Sequence, residues 1–248
     1  MTVGICIKNA SLICREKPVF SHLSLTIPAG KWVALLGPDG IGKSAFLRMI
    51  AGLSHTEEKA FYQLSSDSTE PIQQQTTLMS TKDQLRTWLT VFDNATLCLQ
   101  LHQYSWEEQD QKRQQARLLL DELGMGDTLS FYPHQLTPAM RQRTALVRTL
   151  VENKPIVLLD EPYSELDYSE RAQLKEMTAR YLQGKTVIFI THEPTEALRF
   201  ANEIIVMQGH PATLKSIATF SSATPRELSD PQLTAIHAIL HGRLAEVE

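Results

Sequence analysis

The sequence predicts an α/β fold in which a parallel-sheet core is interrupted by a helical insert. Two observations support this prediction. In the second half of the chain, apolar strand-like runs alternate with helical segments, a pattern typical of parallel strands covered by helices on both faces. Residues from about 90 to 125, in contrast, show helical periodicity only. The strand-like runs in this half are PIVLLD, TVIFITH and NEIIVMQG.

The N-terminal part contains shorter strand candidates. VGICI and LSLTI precede a turn at PAG, and KWVALLG follows that turn. From Ser44 the pattern becomes helical, and Gly52 marks the predicted end of this helix. AFYQL and TTLMS are two further short strand candidates, separated by a polar stretch.

The helical part contains three predicted helices. VFDNATLCLQLH and SWEEQDQKRQQARLLLDELG form the first two, and Thr137 as N-cap with Pro138 at the first helical position predicts that a third begins in LTPAMRQRTALVRTL. SERAQLKEMTARYLQG and PTEALRFA are predicted as helices between the later strands. We expect a single domain whose parts are a core (1–84 and 150–221), a helical subdomain (85–149) and a C-terminal tail (222–248).

The tail is predicted to end in a helix that Asp230 and Pro231 open. Its apolar face is formed by Leu233, Ile236, Leu240 and Leu244. His237 and His241 lie one helical turn apart, as two metal ligands can. Such a pair more often belongs to an exposed helix face, and no third ligand lies nearby in the sequence, so we expect no metal site there.

Composition and charge exclude several classes of protein. Of the 248 residues, 42% are hydrophobic and 21% are charged, which is typical of a folded globular chain. The net charge of −4 argues against a nucleic-acid-binding protein. No apolar run has the length of a bilayer crossing, and MTVGICIKNA lacks the pattern of a secretory signal, so we expect a cytoplasmic protein. Cys6, Cys14 and Cys98 have neither disulfide nor metal-site spacing and are expected to be reduced.

Residues 37–44, GPDGIGKS, fit the phosphate-binding pattern G-x-x-x-x-G-K-[ST] at every fixed position. Glycines let successive backbone N–H groups turn towards phosphate oxygens, and the following helix directs its N-terminal dipole at the same anion. Lys43 is expected to reach the β- and γ-phosphates, and the Ser44 hydroxyl to bind Mg²⁺. The placement between an apolar strand and a helix argues against a chance glycine-rich turn. The predicted nucleotide-binding residues here are Gly37, Pro38, Asp39, Gly40, Ile41, Gly42, Lys43 and Ser44.

Two later strand candidates also end in polar side chains. Asp160 ends PIVLLD and can hold Mg²⁺, while Glu161 beside it projects towards an attacking water; His192 ends TVIFITH. A lone histidine is more often structural, but ligands collect at the carboxyl edge of open α/β sheets. Functional groups on three strand ends therefore predict one site, with Glu161, His192 and Lys43 as catalytic residues and Ser44 and Asp160 as metal ligands.

These motifs resemble the ATP-binding subunit of ABC transporters over nearly the whole chain. GPDGIGKS matches the P-loop of that family, IVLLDEP its Walker B motif, SELD its D-loop, and ITHEPTEAL the segment with its switch histidine. YPHQLTPAMRQRTALVRTL aligns with the family's LSGGMRQR-type signature and the helix behind it. KPVFSHLSLTIPAGKWVALLGPDG and RTWLTVFDN are similar to the importer branch for nitrate, sulfonates, taurine and hydroxymethylpyrimidine precursors.

The resemblance implies a P-loop NTPase fold with an N-terminal antiparallel β part, and ATP and Mg²⁺ as cofactors. It implies a second ATP-binding subunit packed head to tail, so that Thr137 and Ala139 face the γ-phosphate held by the partner subunit. Transmembrane permease subunits are further implied partners, and a periplasmic solute-binding protein acts indirectly. The chain is then expected at the inner face of the cell membrane, with no nucleic acid among its partners.

The signature and the Q-loop depart from the family pattern. In the signature, Thr137 keeps a hydroxyl, Pro138 deletes a backbone N–H donor, and Ala139 adds a Cβ. The Q-loop glutamine of the family falls on Thr81, whose hydroxyl is a shorter ligand for Mg²⁺ or water. These departures predict slow turnover but leave the fold and the P-loop unaffected.

The aromatic side chain that stacks on adenine in the family falls on Cys14, so nucleotide affinity is expected to be reduced unless Phe20 substitutes. We expect the ATP-hydrolysing subunit of an ABC importer. The alternative is a weakly hydrolysing or regulatory nucleotide-binding subunit. A non-transport ATPase of the DNA-repair or translation type fits poorly, because no heptad run lies between Lys43 and Asp160.

Overall fold

A computed structural model describes residues 2–53, 58–228 and 231–245. The chain forms two compact units, and each is described by itself. The first, the sheet unit, comprises Met1–Leu78, Pro155–Glu161 and Leu182–Glu248. The second, the helical unit, comprises Met79–Lys154 and Pro162–Tyr181. The division into core, helical subdomain and tail that was drawn from periodicity stays a prediction.

The main sheet has the strand order β5-β6-β7-β3-β8-β9. Its strands are β3 (Trp32–Leu36), β5 (Thr76–Met79), β6 (Ile156–Asp160), β7 (Thr186–Ile190), β8 (Glu203–Gln208) and β9 (Thr213–Thr219). β3 pairs in parallel with both β7 and β8, and β6 pairs in parallel with β7. Every residue of β3, β6 and β7 is buried, as expected for parallel strands with both faces covered. The predicted parallel-sheet core is confirmed.

A second sheet contains the N-terminal strands in the order β2-β1-β4. They are β1 (Ile5–Cys14), β2 (Lys17–Ile27) and β4 (Glu58–Ser66), and β1 pairs antiparallel with both neighbours. Arg15 and Glu16 form the turn between β1 and β2 with φ of 48° and 65°, the left-handed conformation that tight hairpins require. This confirms the antiparallel N-terminal part, with longer strands than VGICI and LSLTI indicate.

Helices of the sheet unit are α1 (Lys43–Ile50), α7 (Pro194–Phe200) and α8 (Pro231–Ala245). In α8, Leu233 and Leu240 are buried, which agrees with the predicted apolar face. Asp230 and the side chains of His241 and Leu244 lie outside the described residues. In the described ranges, no helix combines the length and the apolar character needed to cross a membrane.

The helical unit contains α2 (Val91–Ala95), α3 (Cys98–Leu101), α4 (Trp106–Glu122), α5 (Pro138–Glu152) and α6 (Tyr168–Tyr181). A continuous helix over VFDNATLCLQLH is therefore wrong in its middle. Thr96 ends α2 with φ of −104° and ψ of 18°, outside the helical conformation, and its hydroxyl donates to the carbonyl oxygen of Phe92 at 2.8 Å. α4 restarts with a capping box, in which the Glu108 N–H donates to Ser105 Oγ and the Ser105 N–H to the Glu108 carboxylate.

Asn94 fixes the loop of residues 86–90 within the helical unit. Its side chain has no exposed surface, and its Oδ1 accepts from the N–H of Arg86 at 2.8 Å. Its Nδ2 donates to the carbonyl oxygens of Arg86, Leu89 and Thr90 at 3.1, 3.1 and 2.9 Å. Trp88, which is 70% exposed, lies in this loop. The buried amide thus holds in place a segment that presents a large aromatic ring to solvent.

Replacing Asn94 with aspartate is expected to lower the free energy of unfolding by about 2–4 kcal/mol, because an ionised carboxylate cannot donate to carbonyl oxygens and is buried beside them. Urea denaturation measures the loss, and faster amide exchange over residues 86–90 locates it. Gln114→Glu is the matched control, since exposed Gln114 donates only from a helix surface to Asp110. Equal losses in both variants would contradict the assigned role of Asn94.

Candidate functional site

The loop of residues 37–44 connects β3 to α1 and is glycine-rich for steric reasons. Gly37, Gly40 and Gly42 have φ of 147°, 74° and 111°, backbone angles that residues other than glycine rarely adopt. A Cβ on Gly37 would lie 2.5 Å from the carbonyl oxygen of Met207 in β8, and one on Gly42 would lie 2.6 Å from Val19 in β2. The loop is therefore held tightly between two strands, with Gly42 as the N-cap of α1. Backbone N–H groups at such a helix start attract anions.

Other loop positions differ in what their side chains can do. Ile41 is buried in the hydrophobic core, so only its backbone can contribute to an anion site. Pro38 is half-buried, and its carbonyl oxygen accepts from Lys43. The Asp39 side chain is 91% exposed. A Cβ on Gly40 would meet no atom within 4 Å, so its positive φ alone favours glycine there.

Lys43 is buried at the start of α1. Its Nζ donates to the carbonyl oxygens of Gly37 and Pro38 at 2.7 and 2.8 Å. Burial lowers the pKa of Lys43, while the negative charges of Asp39, Glu161 and Asp160 act in the opposite direction. The ammonium group is thus surrounded by the loop and by acidic groups, a position from which it can meet an anion held by the loop.

Ser44 and Asp160 come together at the end of β6. The Ser44 hydroxyl donates to Asp160 Oδ1 at 3.1 Å, and Asp160 is 5% exposed. A hydroxyl and a carboxylate oxygen are the hard ligands that Mg²⁺ prefers. The donor set at this point therefore fits the predicted magnesium ion, with Ser44 and Asp160 as the residues that would hold it.

Glu161 and His192 follow the ends of neighbouring strands, and their side chains meet. His192 Nε2 and Glu161 Oε1 are 3.0 Å apart, and an ionised carboxylate there accepts a hydrogen bond from the protonated ring nitrogen. Glu161 has φ of 49°, an uncommon conformation outside glycine. Asp39 Oδ1 lies 3.3 Å from the same ring nitrogen. The sheet unit thus gathers at one edge the polar groups that follow β3, β6 and β7.

The remaining predicted residues belong to the helical unit. Thr137 is the N-cap of α5 and accepts from the Met140 N–H at 3.2 Å, while Pro138 occupies the first turn. Thr137 and Pro138 are exposed and Ala139 is half-buried. Thr81 is an exposed residue beyond the end of β5. The roles of Thr81, Thr137 and Ala139 at a nucleotide stay predictions.

The structure overturns one suggestion about adenine stacking. Phe20 has no exposed surface and packs edge-to-face on Phe46, with ring centroids 5.8 Å apart. Its ring is therefore part of the core and does not replace a surface aromatic. Cys14, where the resemblance predicts the stacking position, is a half-buried free thiol at the end of β1.

Sequence reasoning missed Val19 at this site and, although it included Asp39, gave no role to the Asp39 side chain. Val19 packs against Gly42, and the Asp39 carboxylate lies near His192 and Lys43. Asp39 was included in the predicted loop only through the motif. Because the motif leaves that position unspecified, it carries no signal about its side chain.

The family model described as ABC transporter matches residues 20–164, more than half of the chain. The chain belongs to the ABC transporter family. An ABC transporter ATP-binding protein of uncharacterised function from Haemophilus influenzae is 34% identical over 92% of this chain and 92% of its own length. An aliphatic sulfonates import ATP-binding protein from Paracoccus denitrificans is 31% identical over 83% of this chain and 79% of its own length.

Solved ABC cassettes share the fold. A dimeric structure of the ATP-binding cassette MJ0796 in a post-hydrolysis state with ADP and Pi has a TM-score of 0.71 at 24% identity, and covers 87% of this chain and 100% of that chain. A second dimeric structure of MJ0796 has a TM-score of 0.70. The predicted ABC ATPase fold is confirmed. The family match and the similarity to an import ATP-binding protein confirm the prediction of an ATP-binding subunit of the ABC importer type.

Proposed function

We propose that this ABC ATPase binds ATP with Mg²⁺ on the 37–44 loop and hydrolyses it with Glu161 and His192. One observation carries the proposal: Lys43, the Ser44–Asp160 pair and the Glu161–His192 pair all lie at one edge of the sheet unit. A phosphate-binding loop with its lysine, oxygen ligands for Mg²⁺ and a residue that positions the attacking water are recurring parts of sites that hydrolyse phosphoanhydrides.

Each group has a distinct part in this proposal. The loop amides and Lys43 stabilise the negative charge of the phosphates, since Lys43 already lies against the loop carbonyls. Bound Mg²⁺ supplies further charge neutralisation at the phosphate oxygens. Glu161 orients a water molecule and accepts a proton from it while the water oxygen attacks the γ-phosphorus. The bond between the γ-phosphorus and the oxygen that stays with ADP breaks in the same step. His192, within hydrogen-bond reach of Glu161, holds that carboxylate and contacts the γ-phosphate.

The complete site is proposed to form between two ATP-binding subunits. The dimeric solved cassettes support this arrangement, in which Thr137 and Ala139 of one subunit approach the nucleotide of its partner. The importer names of the relatives support permease subunits as membrane partners. The chain then works on the cytoplasmic face of the membrane, and a solute-binding protein acts through the permease.

A second candidate is a subunit that binds nucleotide but turns it over slowly. Pro138, which has no N–H to donate at the start of α5, favours this alternative, as does Thr81 in place of the Q-loop glutamine. The Glu161–His192 pair favours the ATP-hydrolysing importer subunit, because a subunit that only senses nucleotide does not need a carboxylate that accepts a proton.

The two candidates are separated by measuring binding and turnover on the purified wild-type chain. A fluorescent ATP analogue reports binding, and phosphate release reports steady-state hydrolysis, each with Mg²⁺ and with excess EDTA. Magnesium-dependent phosphate release supports the ATP-hydrolysing subunit, while nucleotide binding without phosphate release supports the regulatory subunit. Absence of binding under both conditions would contradict the proposed site itself.

A further inference from the structure

Asp39 places a negative charge where the proposed site has two hydrogen-bond donors for phosphate. One carboxylate oxygen, Oδ1, lies 3.3 Å from His192 Nε2 and 3.9 Å from Lys43 Nζ. The Asp39 side chain is 91% exposed, so packing does not impose this position. The aspartate thus faces both groups that the proposed function assigns to the phosphate end of the nucleotide.

Electrostatics gives this contact a consequence. An aspartate carboxylate has the same sign of charge as a phosphate group, and it lies close to two donors that the phosphate would use. Burial lowers the pKa of Lys43, and among the charges that act in the opposite direction that of Asp39 has the largest effect. A third phosphate carries additional negative charge to this end of the site, so the repulsion is larger for ATP than for ADP.

We propose that Asp39 is a positioning residue that weakens the preference of this site for ATP over ADP. The inference rests on the proposed function, because it places the γ-phosphate near Lys43 and His192. Asp39 acts by engaging these two residues and by repelling the third phosphate. It does not take part in the chemical step.

The effect of neutralising Asp39 can be sized from the interaction of two unit charges. About 4 Å apart in a solvent-like environment they interact by about 1 kcal/mol, which corresponds to about a fivefold change in a dissociation constant. Asp39→Asn and Asp39→Ser are therefore expected to tighten ATP binding about fivefold and to change ADP binding less than about twofold. Because the charge is exposed, raising the salt concentration should reduce the gain.

The experiment measures dissociation constants of Mg·ATP and Mg·ADP for the full chain at low and high salt, by calorimetry. Asp39→Glu keeps the charge and should retain the wild-type ratio. Glu227→Gln removes one negative charge from an exposed position of the same unit and is the matched control. In steady-state hydrolysis, the neutral variants should lower KM for ATP, and Asp39→Glu should leave it near the wild-type value.

The outcomes keep this inference apart from the proposed function. If the wild type binds neither nucleotide, the proposed function fails. If the wild type binds ATP but the neutral variants change ATP and ADP affinity equally, or leave both unchanged, only the assigned role of Asp39 is overturned. A gain for ATP that is also seen in Glu227→Gln would be a net-charge effect and would likewise overturn it.

Discussion

The Glu161→Gln protein is expected to bind ATP with nearly wild-type affinity and to lose about 10²–10⁴-fold of its turnover, the usual contribution of a positioned general base. Glutamine has the same shape, and its amide oxygen can still accept from His192 Nε2, which lies 3.0 Å from Glu161 Oε1. It cannot, however, accept a proton from water. The measurement is phosphate release in parallel with equilibrium binding of a fluorescent ATP analogue.

Two further variants make this result specific. Lys43→Ala should lose binding as well as turnover, because Lys43 is the ammonium group held over the loop by the carbonyls of Gly37 and Pro38. Glu70→Gln, at an exposed position of the sheet unit, should change neither. Turnover in Glu161→Gln within a few-fold of the wild type would remove Glu161 from the role of general base.

The sheet and its site residues could be predicted because the physics at each strand is local. A strand buried on both faces needs apolar residues at nearly every position, so PIVLLD and TVIFITH can be recognised as strands from their own residues alone. Once these strands lie parallel, their carboxyl ends share one edge. The proximity of Glu161 and His192 follows from that arrangement, and the strand assignments alone were enough to predict it.

Other elements escaped prediction because their cause is not in the hydrophobic pattern. β9 (Thr213–Thr219) pairs antiparallel with β8 at the edge of the sheet, and its half-exposed residues TLKSIAT show no clear alternation. The break between α2 and α3 lies at Thr96, whose backbone leaves the helical conformation without a proline or glycine nearby to signal it in the sequence. Phe20 looked available for stacking because the sequence does not tell which face of β2 is covered by Phe46.

Restoring an N–H group at position 138 is expected to raise steady-state turnover, by up to ~10²-fold if the deleted donor belongs to the charge-stabilising set around the transferred phosphate. Pro138 lies in the first turn of α5, behind the Thr137 cap, and it cannot donate. Both Pro138→Ala and Pro138→Gly supply the N–H, and both leave Thr137 free to cap the helix. Phosphate release by the purified variants, compared at saturating ATP, measures the gain.

Ala139→Gly is the companion variant, because it removes a Cβ from the same loop without adding a donor. If the missing hydrogen bond limits turnover, the two Pro138 variants accelerate hydrolysis and Ala139→Gly does not. If close approach of the partner subunit is limiting, Ala139→Gly and Pro138→Gly gain while Pro138→Ala does not. Combining each change with Glu161→Gln and measuring ATP-induced dimerisation by light scattering separates tighter association from faster chemistry. No gain in any variant would mean that the altered signature does not limit this ATPase.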